Sequence, residues 1–346
     1  MRTSLKADLA ILSITVIWGS SFIIMKNVVE EVGVFAYLTM RFTVAAMLLA
    51  LLFRRQIRDV RRRDVFHGGV IGLLLFLGMA LQVAGLRYTA ASTSAFVTGL
   101  NVVMVPILSA VLLRKQPPAR AVAGVAMATV GLFVLTGGLS QGWNRGDTLT
   151  LLCALCFALQ IIFIDKFNTE TDPRLNAVLQ MVTAALLYAG TWLLFERGTV
   201  HFSWRVVLTV LYTGALGTAF AFGVQTVAQK YTSPTRTALI IACEPVFGAI
   251  FALLVPGTDG ETERLTMPLV IGSMLVLGGM VLAEFQGGGT QAARHDADGG
   301  STGLAADARP DEGAVVQTAD AQPDDRPATR AADAVSDAAA DVDVMS

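Results

Sequence analysis

The chain has 346 residues, of which 54% are hydrophobic and 15% are charged. Soluble domains carry about 25% charged residues, so this composition excludes an ordinary soluble domain and favours a membrane protein. The net charge of −1 conceals an asymmetry. Residues 1–286 hold 22 Lys and Arg against 15 Asp and Glu, whereas residues 287–346 hold 4 against 12. The apolar body is therefore basic and the C-terminal tail is acidic.

Ten apolar segments follow one another with short connections. A helix needs about 20 apolar residues to cross the hydrocarbon, and continuous runs favour helices over the alternating pattern of a barrel. The chain is therefore predicted to be an all-α integral membrane protein with ten transmembrane helices. The segments lie at about 7–25, 34–53, 66–86, 91–113, 119–138, 147–165, 174–195, 204–228, 235–255 and 267–284.

The loops carry an orientation signal, because cytoplasmic loops of membrane proteins are enriched in Lys and Arg. The second loop is the strongest marker, with Arg54, Arg55, Arg58, Arg61, Arg62 and Arg63. Alternate loops are poorer in basic residues. This pattern predicts that both termini face the cytoplasm. A lipid-headgroup or nucleic-acid site is the alternative reading of the arginine-rich loop, and we expect no nucleic-acid partner.

The segments 82–113 and 225–254 resemble one another and match without gaps at an offset of 143, which places residues 82–111 on 225–254. The offset places Gln82 on Gln225, Thr89 on Thr232 and Asn101 on Glu244, among other matches. Such self-similarity indicates an internal repeat. The repeat predicts two five-helix units, at 1–139 and 140–286. Because five is odd, the units must enter the membrane in opposite senses, which places a site near the midplane between them.

Residues 287–346 are rich in Gly, Ala, Asp and Thr and nearly free of aromatic side chains. A segment of this composition buries too little apolar surface to offset the entropy of ordering it. We therefore expect a disordered, acidic, cytoplasmic tail.

Short motifs add a resemblance to a known family. The run Trp18-Gly19-Ser20-Ser21-Phe22 in the first helix is similar to the opening signature of EamA-type transporters of the drug/metabolite transporter superfamily. The runs Ser233-Pro234-Thr235-Arg236-Thr237-Ala238 and Cys243-Glu244-Pro245-Val246-Phe247 resemble the ninth-helix pattern of that family. The match covers about residues 7–284.

The resemblance implies a multi-pass secondary carrier of the plasma membrane, of the bacterial inner-membrane type. Such carriers most often export small metabolites, without ATP and without a bound cofactor. Two departures accompany the resemblance. The sixth helix has no tryptophan to match Trp18, and Pro106 falls on Ala249 under the offset, away from Pro245.

Polar side chains inside the apolar segments are the candidate substrate contacts. An ionised side chain at a helix centre costs about 2.5–3.5 kcal/mol on insertion scales, so such residues should face the bundle interior. In the fourth helix Ser94, Thr98 and Asn101 share one face at i, i+4 and i+7. Glu244 repeats the Asn101 position in the ninth helix. Hydrogen bonding between helices is the alternative role for both residues.

Further candidates come from the other helices. Gln82, Gln160 and Gln225 offer both donors and acceptors, which suits a polar or zwitterionic cargo, although amides also join helices. Trp18 supplies a flat face and one donor. Arg41 is a candidate for holding a substrate carboxylate, for pairing with Glu244, or for snorkelling to the membrane surface.

The sequence also supports a hypothesis for energy coupling. A single carboxylate in an apolar repeat can bind and release a proton, so Glu244 is predicted to couple export to proton entry. We expect a small-molecule substrate, lipid around the helices, no metal site and no cofactor. Cys153 and Cys156 have the spacing of a redox or metal pair but lack a second pair.

Other function classes were weighed against a carrier. The sequence contains none of the patterns H-E-x-x-H, G-x-S-x-G or G-x-x-x-x-G-K-[ST], which argues against an enzyme. A channel or a flippase for lipids or sugar carriers remains the alternative. A membrane anchor or a sensor that acts through the tail is a third reading.

Overall fold

The fold is described from a computed structural model that covers residues 3–89, 91–114, 116–136, 143–196, 203–254 and 265–284. In these ranges every regular element is a helix, as the sequence predicts. The predicted disordered tail, 287–346, lies outside the described residues.

Each of the ten predicted segments corresponds to one helix or to two consecutive helices. Three segments are interrupted: the fourth into α4 and α5, the eighth into α9 and α10 around a π-helix at Ala215–Phe220, and the ninth into α11 and α12. The helices are α1 Thr3–Val32, α2 Val34–Leu52, α3 Arg62–Leu86, α4 Ala91–Gly99, α5 Asn101–Leu112, α6 Ala119–Thr136, α7 Arg145–Phe167, α8 Pro173–Phe195, α9 Trp204–Gly214, α10 Ala221–Ala228, α11 Pro234–Ile241, α12 Glu244–Leu254 and α13 Met267–Glu284.

Six helical stretches are long and apolar enough to cross a membrane, and three shorter apolar ones accompany them within the described ranges. The chain is therefore a multi-pass membrane protein. The ten-pass inverted arrangement, with units at 1–139 and 140–286, stays a prediction.

Helices α6 and α13 pack backbone against backbone through glycine. A Cβ atom added to Gly124 would lie 2.5 Å from the carbonyl oxygen of Gly279, and one added to Gly272 would lie 2.6 Å from the backbone nitrogen of Leu135. Gly131 approaches α13 in the same way. Small residues allow this close approach, which is how helices gain dispersion energy where lipid removes the hydrophobic driving force. We call this contact the glycine seam.

The start of α2 is capped by a carboxylate from a distant part of the chain. The backbone nitrogens of Val34 and Ala36 donate to Glu196 Oε1 and Oε2 at 2.9 and 2.8 Å. Gly33 precedes them with φ 82°, a conformation that favours glycine, and a Cβ there would lie 2.5 Å from Glu196 Oε1. The first N–H groups of a helix have no partner inside it, and a negative charge also suits that end of the helix dipole.

This cap yields a stability prediction. Glu196→Ala should destabilise the protein by about 1–2 kcal/mol, since a lost helix cap typically costs that amount. Glu196→Gln keeps one acceptor and should cost less. The measurement is the apparent melting temperature of the purified full chain in detergent.

The exposed residue Asp59, in the short 3-10 helix between α2 and α3, gives the matched control, and Asp59→Ala should leave the melting temperature unchanged. Equal melting temperatures for the wild type and Glu196→Ala would show that the cap contributes nothing.

Candidate functional site

The two residues matched by the repeat, Asn101 and Glu244, occupy the same structural position. Asn101 is the first residue of α5, directly after the interruption at Leu100, and Glu244 is the first residue of α12, after the interruption at Ala242 and Cys243. Leu100 has φ −63° and ψ −9°, and Ala242 has φ −61° and ψ −10°, so both turns tighten in the same way. Both polar side chains thus begin the second half of a broken helix.

Proline accounts for the interruption before α12. Pro245 is the second residue of that helix, where the missing N–H would have had no helical partner in any case. Proline in that place leaves the carbonyl of Ile241 without its usual donor, so the helix restarts there. Pro106 lies five residues into α5 and so does not set the break at Leu100.

The buried Asn101 keeps one unmatched polar atom. Its Oδ1 has no hydrogen-bond partner among the described residues. Glu244 is partly buried. Among the described residues, no side chain or backbone group donates a hydrogen bond to its carboxylate. Buried polar groups are usually paired, so unmatched acceptors at membrane depth mark a place where water or cargo can bind.

Two of the predicted site residues donate hydrogen bonds to the π-helix at Ala215–Phe220. The indole Nε1 of Trp18 donates to the carbonyl oxygen of Gly217 at 2.8 Å, and Arg41 Nη2 donates to the same oxygen at 3.3 Å. Arg41 Nε donates to Thr218 Oγ1 at 2.6 Å, and that hydroxyl donates to the carbonyl oxygen of Thr213 at 2.8 Å. The widened turn therefore holds both side chains in fixed positions.

Arg41 is only 4% exposed. Of the three roles predicted for it, snorkelling to the surface does not fit, because Nε and Nη2 donate to Thr218 and Gly217, which are buried in the π-helix. Gly214 allows the approach: a Cβ there would lie 3.0 Å from the backbone oxygen of Arg41. The other two roles, binding a substrate carboxylate or pairing with Glu244, both stay open.

Trp18 and Arg41 meet at the π-helix, and Glu244 begins α12, the helix that packs beside α1. The Arg41 charge acts electrostatically on the Glu244 carboxylate. Helix α1 meets α12 one turn after Glu244, where a Cβ on Gly19 would lie 2.7 Å from the backbone nitrogen of Gly248. The Trp18 ring also packs on Phe222, with 5.1 Å between centroids. The structure thus assembles a cation, a carboxylate and an aromatic face.

Gln82 and Thr98 meet in the other half of the chain. Gln82 Nε2 lies 3.4 Å from Thr98 Oγ1, at the long end of a hydrogen bond, and the Cys153 thiol lies beside Thr98. This weak pairing leaves most of the amide capacity of Gln82 unused. The pair of Gln82 and Thr98 can therefore exchange this hydrogen bond for one to a cargo more readily than the other polar clusters described below.

Gln160 and Gln225 belong to a buried polar network instead. Gln160 Nε2 donates to Gln180 Oε1 at 3.2 Å, and Gln180 Nε2 donates to Thr226 Oγ1 at 2.6 Å. Gln225 Nε2 donates to Gln229 Oε1 at 3.3 Å. All of these side chains are buried, so the network joins α7, α8 and α10 as well as offering polar atoms.

Sequence reasoning did not find several members of this polar interior. Asn168 donates to the carbonyl oxygen of Thr226 at 2.7 Å, and Asn176 donates to Asn168 Oδ1 at 3.0 Å. The π-helix with Gly217 and Thr218 was also missed. Asn168 and Asn176 lie at helix ends, where polar residues are expected, so neither the sequence pattern nor the repeat singled them out.

Comparisons with known proteins identify the family. The model of the EamA-like transporter family matches the chain twice, over residues 5–137 and 144–285. An uncharacterized transporter of Archaeoglobus fulgidus is 30% identical over 282 residues, covering 82% of this chain and 87% of the relative. The uncharacterized transporter YoaV of Bacillus subtilis is 20% identical and covers 81% of this chain and 97% of the relative.

Two further likenesses agree with the family match. A WAT1-related chloroplastic protein of Arabidopsis thaliana is 21% identical, covering 78% of this chain and 67% of the relative. A solved crystal structure that is 19% identical superimposes with a TM-score of 0.69, covering 81% of this chain and 98% of the other, and shows the likeness of the fold alone. The matching family and the relatives from Archaeoglobus fulgidus and Bacillus subtilis are named as transporters, not as enzymes. The chain therefore belongs to the EamA-like transporter family and is a membrane transporter of the drug/metabolite superfamily.

Proposed function

We propose that the protein is a secondary active carrier of the plasma membrane. It exports a small polar metabolite, an amino-acid-like compound or a drug by alternating access, in ten passes and two inverted five-helix units, with both termini in the cytoplasm. The observation that carries the proposal is the pair of interrupted helices at Asn101 and Glu244. Broken helices at matched places of two repeats are a recurrent design of binding sites in secondary transporters.

The packing of the helices supports two equivalent units. Under the repeat, α3 matches α9 with α10, and α2 matches α8. The contact of α3 with α8 then has its counterpart in the contact of α2 with α9 and the π-helix. The contact of α7 with α4 and α5 likewise has its counterpart in the contact of α1 with α11 and α12. A pairing that repeats in this way is expected of a duplicated module.

The charges near the π-helix indicate what the site accepts. Arg41 suits an anionic group, Glu244 suits a cationic group, and Trp18 with Phe222 supplies an aromatic wall. These features together favour a zwitterionic or amphipathic small molecule. In this mechanism Glu244 also carries the coupling proton, because it is a carboxylate in an apolar repeat and receives no hydrogen bond from the described residues.

The test is functional expression of the full chain. Sensitive cells are challenged with toxic amino-acid analogues, nucleosides, sugars and cationic drugs, and the carrier should protect against one class. Purified protein in liposomes should then show saturable counterflow of a compound from that class. Flux that rises linearly without saturation would instead indicate a channel, and movement of lipid alone would indicate a flippase.

Replacing Glu244 tests the coupling step. Glu244→Gln keeps the shape of the side chain but removes its titrating proton, so pH-driven transport in liposomes should fall at least about tenfold. Counterflow without a pH gradient should persist. As a control, Glu170→Gln alters an exposed carboxylate in the connection between α7 and α8 and should leave both rates unchanged. Unchanged pH-driven transport in Glu244→Gln would remove this residue from the coupling step.

A second substitution tests the placement of Arg41. Thr218→Val removes both the acceptor of Arg41 Nε and the bond to the carbonyl of Thr213, so counterflow should fall about tenfold, the factor that corresponds to about 1.4 kcal/mol. Thr218→Ser keeps the hydroxyl and should retain most of the activity.

Thr191→Val is the matched control for this substitution. Thr191 donates only to the carbonyl oxygen of Leu187 within its own helix, at 2.8 Å. Its replacement should leave counterflow unchanged, whereas equal losses in Thr191→Val and Thr218→Val would point to a general packing effect.

A further inference from the structure

The same kind of hydrogen bond occurs at the start of each half of the chain. Thr232 Oγ1 donates to Asp8 Oδ1 at 2.8 Å, and Thr89 Oγ1 donates to Asp147 Oδ1 at 2.6 Å. Asp8 lies near the start of α1, and Asp147 lies near the start of α7. We call these the Asp8 latch and the Asp147 latch.

The two latches correspond to one another under the repeat. Thr89 and Thr232 differ by 143 residues, the offset that joins Asn101 to Glu244, and each precedes an interrupted helix. Small residues lie beside both latches. A Cβ on Gly146 would lie 2.6 Å from the carbonyl oxygen of Gly85. In the other half, the buried residues Ala7 and Ala228 take part in one apolar cluster.

Both carboxylates are enclosed, since Asp147 is 0% exposed and Asp8 is 3% exposed. A buried carboxylate must be paired, because desolvation of a charge is costly. Breaking either threonine bond in a dry interior would leave a carboxylate oxygen without that donor, and water that reaches the same end of the bundle would replace the donor. A latch of this kind is suited to two states, closed and dry or open and wet.

The two latches differ in the number of polar contacts that join one helix to another. The second oxygen of Asp147 accepts from the backbone nitrogen of Asn144 at 2.8 Å, within the cap of its own helix. The second oxygen of Asp8 instead pairs with Arg236 Nη2 on α11, and Arg236 Nη1 donates to Ser4 Oγ at 3.3 Å. Opening at Asp8 therefore breaks more contacts than opening at Asp147.

We propose that the two latches close the two ends of the transport path and open in alternation. This inference rests on the proposed inverted arrangement, in which the Asp8 latch lies at the cytoplasmic end and the Asp147 latch at the outer end. While one latch is broken and hydrated, the other holds its end shut. Because the Asp8 latch has the extra contacts of Arg236, the carrier without cargo opens more readily on the Asp147 side.

The proposal is tested with single cysteine reporters in membrane vesicles that carry the full chain. The native Cys153 lies six residues beyond Asp147 on α7, and Ile14 lies six residues beyond Asp8 on α1. The first reporter keeps Cys153 and replaces Cys156 and Cys243 by alanine. The second carries Ile14→Cys in a chain with all three native cysteines replaced. The probe is a small charged methanethiosulfonate added outside right-side-out or inverted vesicles.

Each latch variant should shift the two reporters in opposite directions. Thr89→Val should raise the rate of modification at Cys153 about tenfold and lower the rate at the position 14 reporter. Thr232→Val should do the reverse. Thr89→Ser and Thr232→Ser keep the donating hydroxyl. These variants should be modified at the same rates as the reporter chains without a latch substitution.

A second pair of variants guards against a folding defect. Asp147→Asn and Asp8→Asn keep an acceptor for the threonine but lose the charge, so they should give smaller shifts in the same directions. Each variant is compared with its parent by thermal stability in detergent.

The outcomes separate this inference from the proposed function. Reaction of both reporters from the same side would contradict the inverted arrangement and with it the proposed mechanism. Reaction from opposite sides, with equal rates in the valine and serine variants, would overturn the latches alone and leave the carrier intact. Failure of both reporters to react from either side in every variant would also overturn the latches.

Discussion

The interior of this protein is shaped by the need to satisfy polar groups where lipid offers no partner. The clearest case is the carbonyl oxygen of Gly217, which accepts from both Trp18 and Arg41. This oxygen lies in the π-helix, where the turn is wider than in an α-helix, and it gives a buried guanidinium and an indole a common acceptor. π-Helical turns of this kind are frequent at functional sites.

This arrangement links the backbone to the chemistry of the site. Because Arg41 is anchored by Nε and Nη2, its charge is held at the π-helix inside the bundle instead of reaching for the membrane surface. The amide network around Gln160 and Gln225 lies on the neighbouring helices and joins α7, α8 and α10.

Much of the fold could be predicted from the sequence, because hydrophobic runs and short loops define helices directly. The repeat was equally informative, since it predicted the equivalence of Asn101 and Glu244 that the broken helices now share. The π-helix at Ala215–Phe220 left no comparable mark, because its residues are as apolar as those of any span. The pairing of Gln160 with Gln180 was also beyond reach, since periodicity gives the face of a helix but not the neighbour that it meets.

The glycine seam between α6 and α13 has a consequence for how the molecule moves. Its contacts join backbone to backbone and use neither charge nor hydroxyl, so neither water nor a proton entering the centre alters them. The seam joins α6, the last helix of the first predicted unit, to α13, the last helix of the second. The contact between these two helices is therefore insensitive to hydration and to changes of charge, unlike the hydrogen-bonded contacts of the polar interior.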